Sequence, residues 1–366
     1  MLKSPRSRRL QTIVVFLAWL LLGAASPASA HSAGNSPSSN YVATVTGIVP
    51  STDFFTIGVI EATSRVELRW HSGPVVEVPD YDGYPYLRFG PDGVEENQQS
   101  FAVYLNRDRN GATTVPENLK PEGAPQWKRI SSEPVARWHD HRVHWMGTVR
   151  PDRVVQRPAE RQVVQPFTFD FRQGSATFRV SGTLEWVPGP SPLPYLLLAA
   201  ASGLALLALA LWAGLRPDRR DAARIVVAVS CVALVMADAV HLVGIAFGIR
   251  GTTSQALARM VSVGFVSMLA WIVLLVASVL LLRRRFDAFY LVVLGAGLVA
   301  LIGGLADVGV LSRTSAPFAF PVWTLRILVT LTIGLGAGLG VAAVLLTRRA
   351  PEPVATDIAD QPEGAP

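Results

Sequence analysis

Five stretches of the chain stay apolar for long enough to cross a bilayer: Leu193 to Leu215, Ile225 to Ile249, Met260 to Leu282, Phe289 to Leu311 and Val322 to Leu346. About 20 apolar residues, rising 1.5 Å each as a helix, match the roughly 30 Å hydrocarbon layer. Each stretch therefore predicts a transmembrane helix, and together they predict an all-α five-helix bundle over residues 193–347.

Upstream the period changes. From Tyr41 to Trp186 apolar residues alternate with polar ones, with Gly or Pro at short intervals, which is the signature of half-buried strands. The pattern predicts strands at Tyr41 to Val49, Phe54 to Ile60, Val66 to Trp70, Val75 to Val78, Tyr84 to Phe89, Phe101 to Leu105, Val163 to Phe171 and Ala176 to Val187. His71-Ser72-Gly73-Pro74 reads as a turn, and Arg172-Gln173-Gly174-Ser175 as the turn of a hairpin. Many short strands over residues 31–187 predict an immunoglobulin-like β-sandwich, although a barrel gives similar spacing. Asn106 to Arg137, Pro-rich and polar, reads as a long loop. Pro188-Gly189-Pro190-Ser191-Pro192 is a short, stiff connector that keeps the β domain near the membrane.

The ends carry targeting and topology. Lys3, Arg6, Arg8 and Arg9, then apolar Ile13 to Leu22, then Ala28-Ser29-Ala30, predict a signal peptide over residues 1–30, cleaved to leave His31 first. With the β domain extracytoplasmic, Arg216, Arg219, Arg220, Arg224, Arg283, Arg284, Arg285, Arg348 and Arg349 fall on the cytoplasmic side. Arg250, Arg259, Arg313 and Arg326 fall at the outer face, the asymmetry that the positive-inside rule expects. Residues 348–366 are Pro-rich and acidic, which predicts a disordered cytoplasmic tail.

Half of the residues are hydrophobic and 16% charged, which suits a two-part chain, partly membrane and partly water-exposed. The net charge of +6 does not point to nucleic acid, because many of the arginines flank apolar runs and act as anchors. The scarcity of Lys beside Arg, with abundant Ala, Val, Gly and Pro, hints at a GC-rich bacterial genome. The single cysteine, Cys231, lies in an apolar run, so disulfides cannot hold the β domain.

The densest chemical string is Trp138-His139-Asp140-His141-Arg142-Val143-His144-Trp145-Met146, with three of the six histidines. If extended, it places His139 and His141 on one face about 7 Å apart, within reach of one metal ion. If it forms a helical turn, His141 and His144 pair instead. The plainer reading is a plug of aromatic and histidine side chains closing the sandwich, since no standard zinc spacing occurs. His31, once N-terminal, offers a ring nitrogen and an α-amino nitrogen, a donor set suited to Cu(II). Its plainer reading is part of a low-complexity Ser/Gly/Asn/Pro tail.

On His31 and this domain order, the chain resembles the periplasmic copper-binding proteins of the CopC type, including those fused to CopD-like membrane modules. Those proteins carry an Asp-x-His pair late in the domain, where this chain has His139-Asp140-His141 in another order. That resemblance implies copper as the bound ion. The Trp138 to Met146 string with the Trp186-Val187-Pro188-Gly189-Pro190-Ser191-Pro192 exit is also similar to a group of actinobacterial membrane proteins that brings no established activity.

Within the apolar runs, Asp238 and His241 lie one turn apart on the second, and Asp307 and Arg326 fall at similar depth on the fourth and fifth. A carboxylate at a helix centre in lipid costs roughly 2.5–3.5 kcal/mol, so these four are expected to converge inside the bundle, as an ion site or as interhelical salt bridges. The run Gly334, Gly336, Gly338 and Gly340 reads as a close helix-packing face. No phosphate loop, nucleophile elbow or paired acidic motif supports an enzyme. The sequence thus predicts a membrane-anchored extracytoplasmic metal-binding protein, with copper its ion and His31, His139, His141 and His144 its ligands. Two alternatives stand beside it: an envelope protein that binds another protein without metal, and an ion-transport component built on the intramembrane residues.

Overall fold

The computed structural model describes residues 38–347 apart from residues 64, 108–112, 215 and 286. The predicted signal peptide, His31 and the acidic tail lie outside the described residues. The chain forms two compact units, and the boundary between them cuts through the apolar helices rather than falling at the Pro-rich connector.

The first unit holds all the strands, together with 239–265 and 305–330. Among its described residues, ten strands form two antiparallel sheets. The larger has the order β1-β10-β9-β4-β5-β6-β7: β1 Tyr41–Val49, β4 Val76–Pro79, β5 Pro85–Gly90, β6 Gly93–Asn97, β7 Trp127–Ser131, β9 Gln162–Gln173 and β10 Ala176–Trp186. The smaller has the order β2-β3-β8, with β2 Phe55–Ile60, β3 Arg65–Trp70 and β8 Val135–Trp138. Both contribute to one apolar core: Phe55, Val66 and Leu68 from the smaller sheet cluster with Leu87, Phe89, Phe169 and Phe171 from the larger. At about 1.5–3 kcal/mol for each large apolar side chain fully buried, this core is what holds a disulfide-free domain together. The β9–β10 hairpin turns where expected, with Gln173 opposite Ala176 and Gly174 at a positive φ of 59° that suits the tight turn.

Two sequence expectations change here. Ala102–Leu105 is a single helical turn, not a strand. Ser100 starts it: its hydroxyl accepts from the Ala102 N–H at 3.2 Å and donates to Asp80 Oδ2 at 2.8 Å. The stretch read as one long loop contains β7 and most of β8.

Among the described residues, five helices are long and apolar enough to cross a membrane: Leu193–Gly214, Arg220–Gly248, Thr253–Leu282, Ala288–Ser312 and Val322–Thr347. They are the five predicted spans, and the chain is a multi-pass membrane protein. The third span opens with a capping box, in which the Gln255 N–H donates to Thr252 Oγ1 and the Thr252 N–H to Gln255 Oε1. The fourth is α-helical only over Ala288–Leu298. It widens into a π-helical turn over Val299–Gly304 and tightens to 3-10 geometry over Leu305–Ser312.

Inside the first unit, the β strands are tied to the segments that link second span to third and fourth to fifth. Ser39 and Ser315 exchange backbone hydrogen bonds at 2.9 and 3.0 Å. Asn40 Oδ1 accepts from the Thr314 N–H at 2.9 Å, and the Thr314 hydroxyl donates to the Val187 carbonyl at 2.5 Å. Arg250 donates through its guanidinium to Glu67 at 2.6 Å and through its backbone N–H to Glu61 at 2.7 Å, while its carbonyl accepts from Arg65.

The second unit comprises the remaining helical segments. Its core is small and aliphatic, with Ala210, Cys231, Leu274, Ala296, Leu339 and Ala343 among the buried residues. Gly334, Gly336 and Gly338 of the glycine run pack closely as expected, whereas a Cβ on Gly340 would meet nothing within 4 Å. A Cβ on Gly203 would stand 2.6 Å from the Gly334 carbonyl oxygen, and one on Gly336 2.9 Å from that of Ala296. Backbones approach there as only glycine allows.

Candidate functional site

The histidine string leaves β8 at Trp138 and folds back at Asp140, which is fully buried. Asp140 Oδ1 accepts from the Arg142 N–H at 3.1 Å and so caps the short turn His141–Val143. The same carboxylate takes two bonds of 2.8 Å from the Arg142 guanidinium and one of 3.2 Å from Trp138 Nε1. The guanidinium is wedged between aromatic faces, 4.9 Å from the Tyr81 centroid and 4.4 Å from that of Phe169. Burial works against its charge, yet the hydrogen bonds and charge of Asp140 outweigh it and hold Arg142 above its ordinary pKa.

His141 stacks on Tyr81, with centroids 5.8 Å apart and planes 19° from parallel. Its backbone N–H donates to Tyr81 Oη at 3.1 Å, which donates onward to Asn106 at 2.5 Å. Burial, reinforced by the Asp140 charge, pushes the Tyr81 hydroxyl well above its usual pKa, so it stays a neutral donor. His144 is buried and meets His141 edge to face at 5.5 Å. The chain thus takes the helical-turn arrangement, in which His141 and His144 pair. His139 lines a separate feature, a cavity of about 280 Å³ whose wall also includes Trp138 and Arg107. Among the described residues no group of three or more His, Cys, Asp or Glu is arranged to hold a metal ion. His141 Nε2 is buried and has no hydrogen-bond partner among the described residues.

The intramembrane residues divide between the two units. In the first, His241 Nε2 of the second span lies 3.3 Å from Asp307 Oδ2, in the 3-10 part of the fourth. The His241 side chain is 3% exposed and that of Asp307 23%. Phe318 lies 6.5 Å from the His241 ring, centroid to centroid. Its loop is seated on two glycines of the second span. The Ala319 N–H donates to the Gly244 carbonyl at 2.9 Å, and a Cβ on Gly244 or Gly248 would strike Phe318 or the Pro317 carbonyl. Arg326 donates to the carbonyls of Arg313 at 2.6 Å and Val310 at 3.4 Å, at the end of the fourth span. Arg259 does the same for the second, donating to Ala246 and Ile249. The last carbonyls of a helix have no intrahelical partner and carry its negative end, so a cation there is favourable. Arg326 therefore serves as a helix-end clamp.

In the second unit, Asp238 Oδ2 accepts from Trp271 Nε1 at 2.8 Å and lies against Gly303, where a Cβ would clash with the carboxylate. Sequence reasoning missed Trp271, and missed Asp140 as the organiser of the histidine string. The signal for Asp140 was present, since Asp just before a short polar turn is a favoured cap.

Comparison with protein-family models, with curated proteins and with solved structures finds no match to this chain.

Proposed function

We propose that this chain is a cation-handling membrane protein of the bacterial cell envelope, with the β domain outside and the His241–Asp307 pair as the cation site. The 3.3 Å approach of an imidazole to a carboxylate within apolar spans carries this reading. Ionisable groups at membrane depth are costly to keep unless they serve a purpose, and departures from α geometry like that around Asp307 gather at functional sites. Imidazole and carboxylate together take a proton, or a borderline metal such as Cu(II). The loop that carries Phe318 over His241 is gripped by Ser39 and Asn40 of the β domain, so a change of charge at the pair reaches that domain through few contacts. The arginine distribution supports the orientation.

The test uses the full chain in lipid nanodiscs, titrated with Cu(II) and separately with acid. Wild type is expected to take up one more equivalent of one cation than His241→Gln or Asp307→Asn. Equal uptake by all three of both cations rejects the site.

A second reading keeps copper in the β domain, supported by the unpartnered His141 Nε2 with the His144 ring beside it. His31 with its amine would complete the ligands, as the copper-protein resemblance implies. In this reading Cu(II) uptake falls in a His141→Ala, His144→Ala variant and is unchanged in His241→Gln.

A further inference from the structure

The 280 Å³ cavity in the β domain belongs to neither reading. It lies among β3, β5, β6, β8 and the turn after Ala102–Leu105, and approaches the lower end of the roughly 300–1,000 Å³ typical of small-molecule sites. Leu87, Val103 and Trp138 give it an apolar side. Asn106 and Tyr86 supply polar atoms, and burial keeps the Tyr86 hydroxyl protonated by pushing its pKa far up.

The charge around the cavity is one-sided. Arg65, Arg107 and Arg137 line it against a single carboxylate, Glu96, among the described lining residues. Arg65 is bound to Glu61, and Arg137 to Glu67 at 2.6 Å. Arg107 is exposed, rests its guanidinium 4.8 Å from the Tyr104 ring, and pairs with no carboxylate among the described residues. Its fork of donors is therefore available at the mouth of a partly apolar pocket, and a guanidinium on an aromatic face is well suited to meet a carboxylate.

The geometry points to a binding site for a small carboxylate with an apolar body, the carboxylate meeting Arg107 and the body lying against Trp138 and Leu87. This assignment does not rest on the cation reading and can fail without it.

The experiment is calorimetric titration of the full chain in nanodiscs with 4-phenylbutyrate, using empty nanodiscs as the blank and 4-phenylbutylamine as the charge-reversed control. The acid is expected to bind one to one and the amine not to bind. Arg107→Gln should weaken the acid at least tenfold. Ala136→Phe, which fills the cavity from its β8 wall, should abolish binding. Because Arg107 is exposed, its substitution leaves the core intact and keeps the test valid even if the filled variant misfolds. No saturable binding of the acid, equal binding of the amine, or an Arg107→Gln affinity within twofold of wild type each overturns the assignment.

Discussion

Asp140 and Arg142 form a two-point ion pair, with both bonds at 2.8 Å and the carboxylate completely buried. It fixes the turn that carries His141, so its loss should be felt through the whole string. Asp140→Ala would leave the guanidinium without its partner between two aromatic rings. Removing one member of a buried pair costs about 3–5 kcal/mol. Thermal unfolding of the variant should show a clearly lowered melting temperature, with Asp140→Asn intermediate because it keeps the cap. A melting curve matching wild type would show that the pair is not structural.

Asn40 holds the loop between the fourth and fifth spans by accepting from the Thr314 N–H at 2.9 Å. Asn40→Ala removes the acceptor from that donor at a cost of about 1–3 kcal/mol. Hydrogen exchange at Thr314 to Phe320 should speed up while the amides of β9 and β10 keep their protection. Uniform protection in the variant would mean that the β domain does not restrain this loop.

In the helical unit, Gly203 meets Gly334 and Gly338 backbone to backbone. Gly203→Val should force these segments apart and lower the melting temperature of the purified protein, by more than Gly340→Val, where the added Cβ meets nothing within 4 Å. Equal effects at the two positions would reject the close-packing account.

The five spans were legible in the sequence because each is a long, uninterrupted apolar run, and so were β1, β9 and β10, whose alternation extends over many residues. Ala102–Leu105 misled because four apolar-rich residues have no measurable period, and the Ser100 hydroxyl, accepting from the Ala102 N–H and donating to Asp80, favours a turn there. β7 was hidden by its exposed pattern, since an edge strand buries little and reads as a loop. At the site, the meeting of His241 with Asp307 followed from the cost of isolated polar groups in lipid. The partners of Arg326 and Asp238 did not, because backbone carbonyls and the Trp271 indole satisfy such groups as well as opposite charges do, and hydropathy does not register them.

The proposed orientation rests on the arginine asymmetry. A reporter fused after Arg349 should be active only on the cytoplasmic side, and one inserted between β6 and β7 only on the opposite side. Activity of both on one side would overturn the topology.

The central claim, that His241 and Asp307 form a working cation site, is tested most directly by imidazole ¹⁵N NMR of the full chain in nanodiscs, with the His241 signal assigned by its loss in His241→Gln. The account predicts that this signal moves on acidification or is broadened by one equivalent of Cu(II), and that Asp307→Asn alters the response. A His241 signal that is unmoved by acid and untouched by Cu(II) would contradict it.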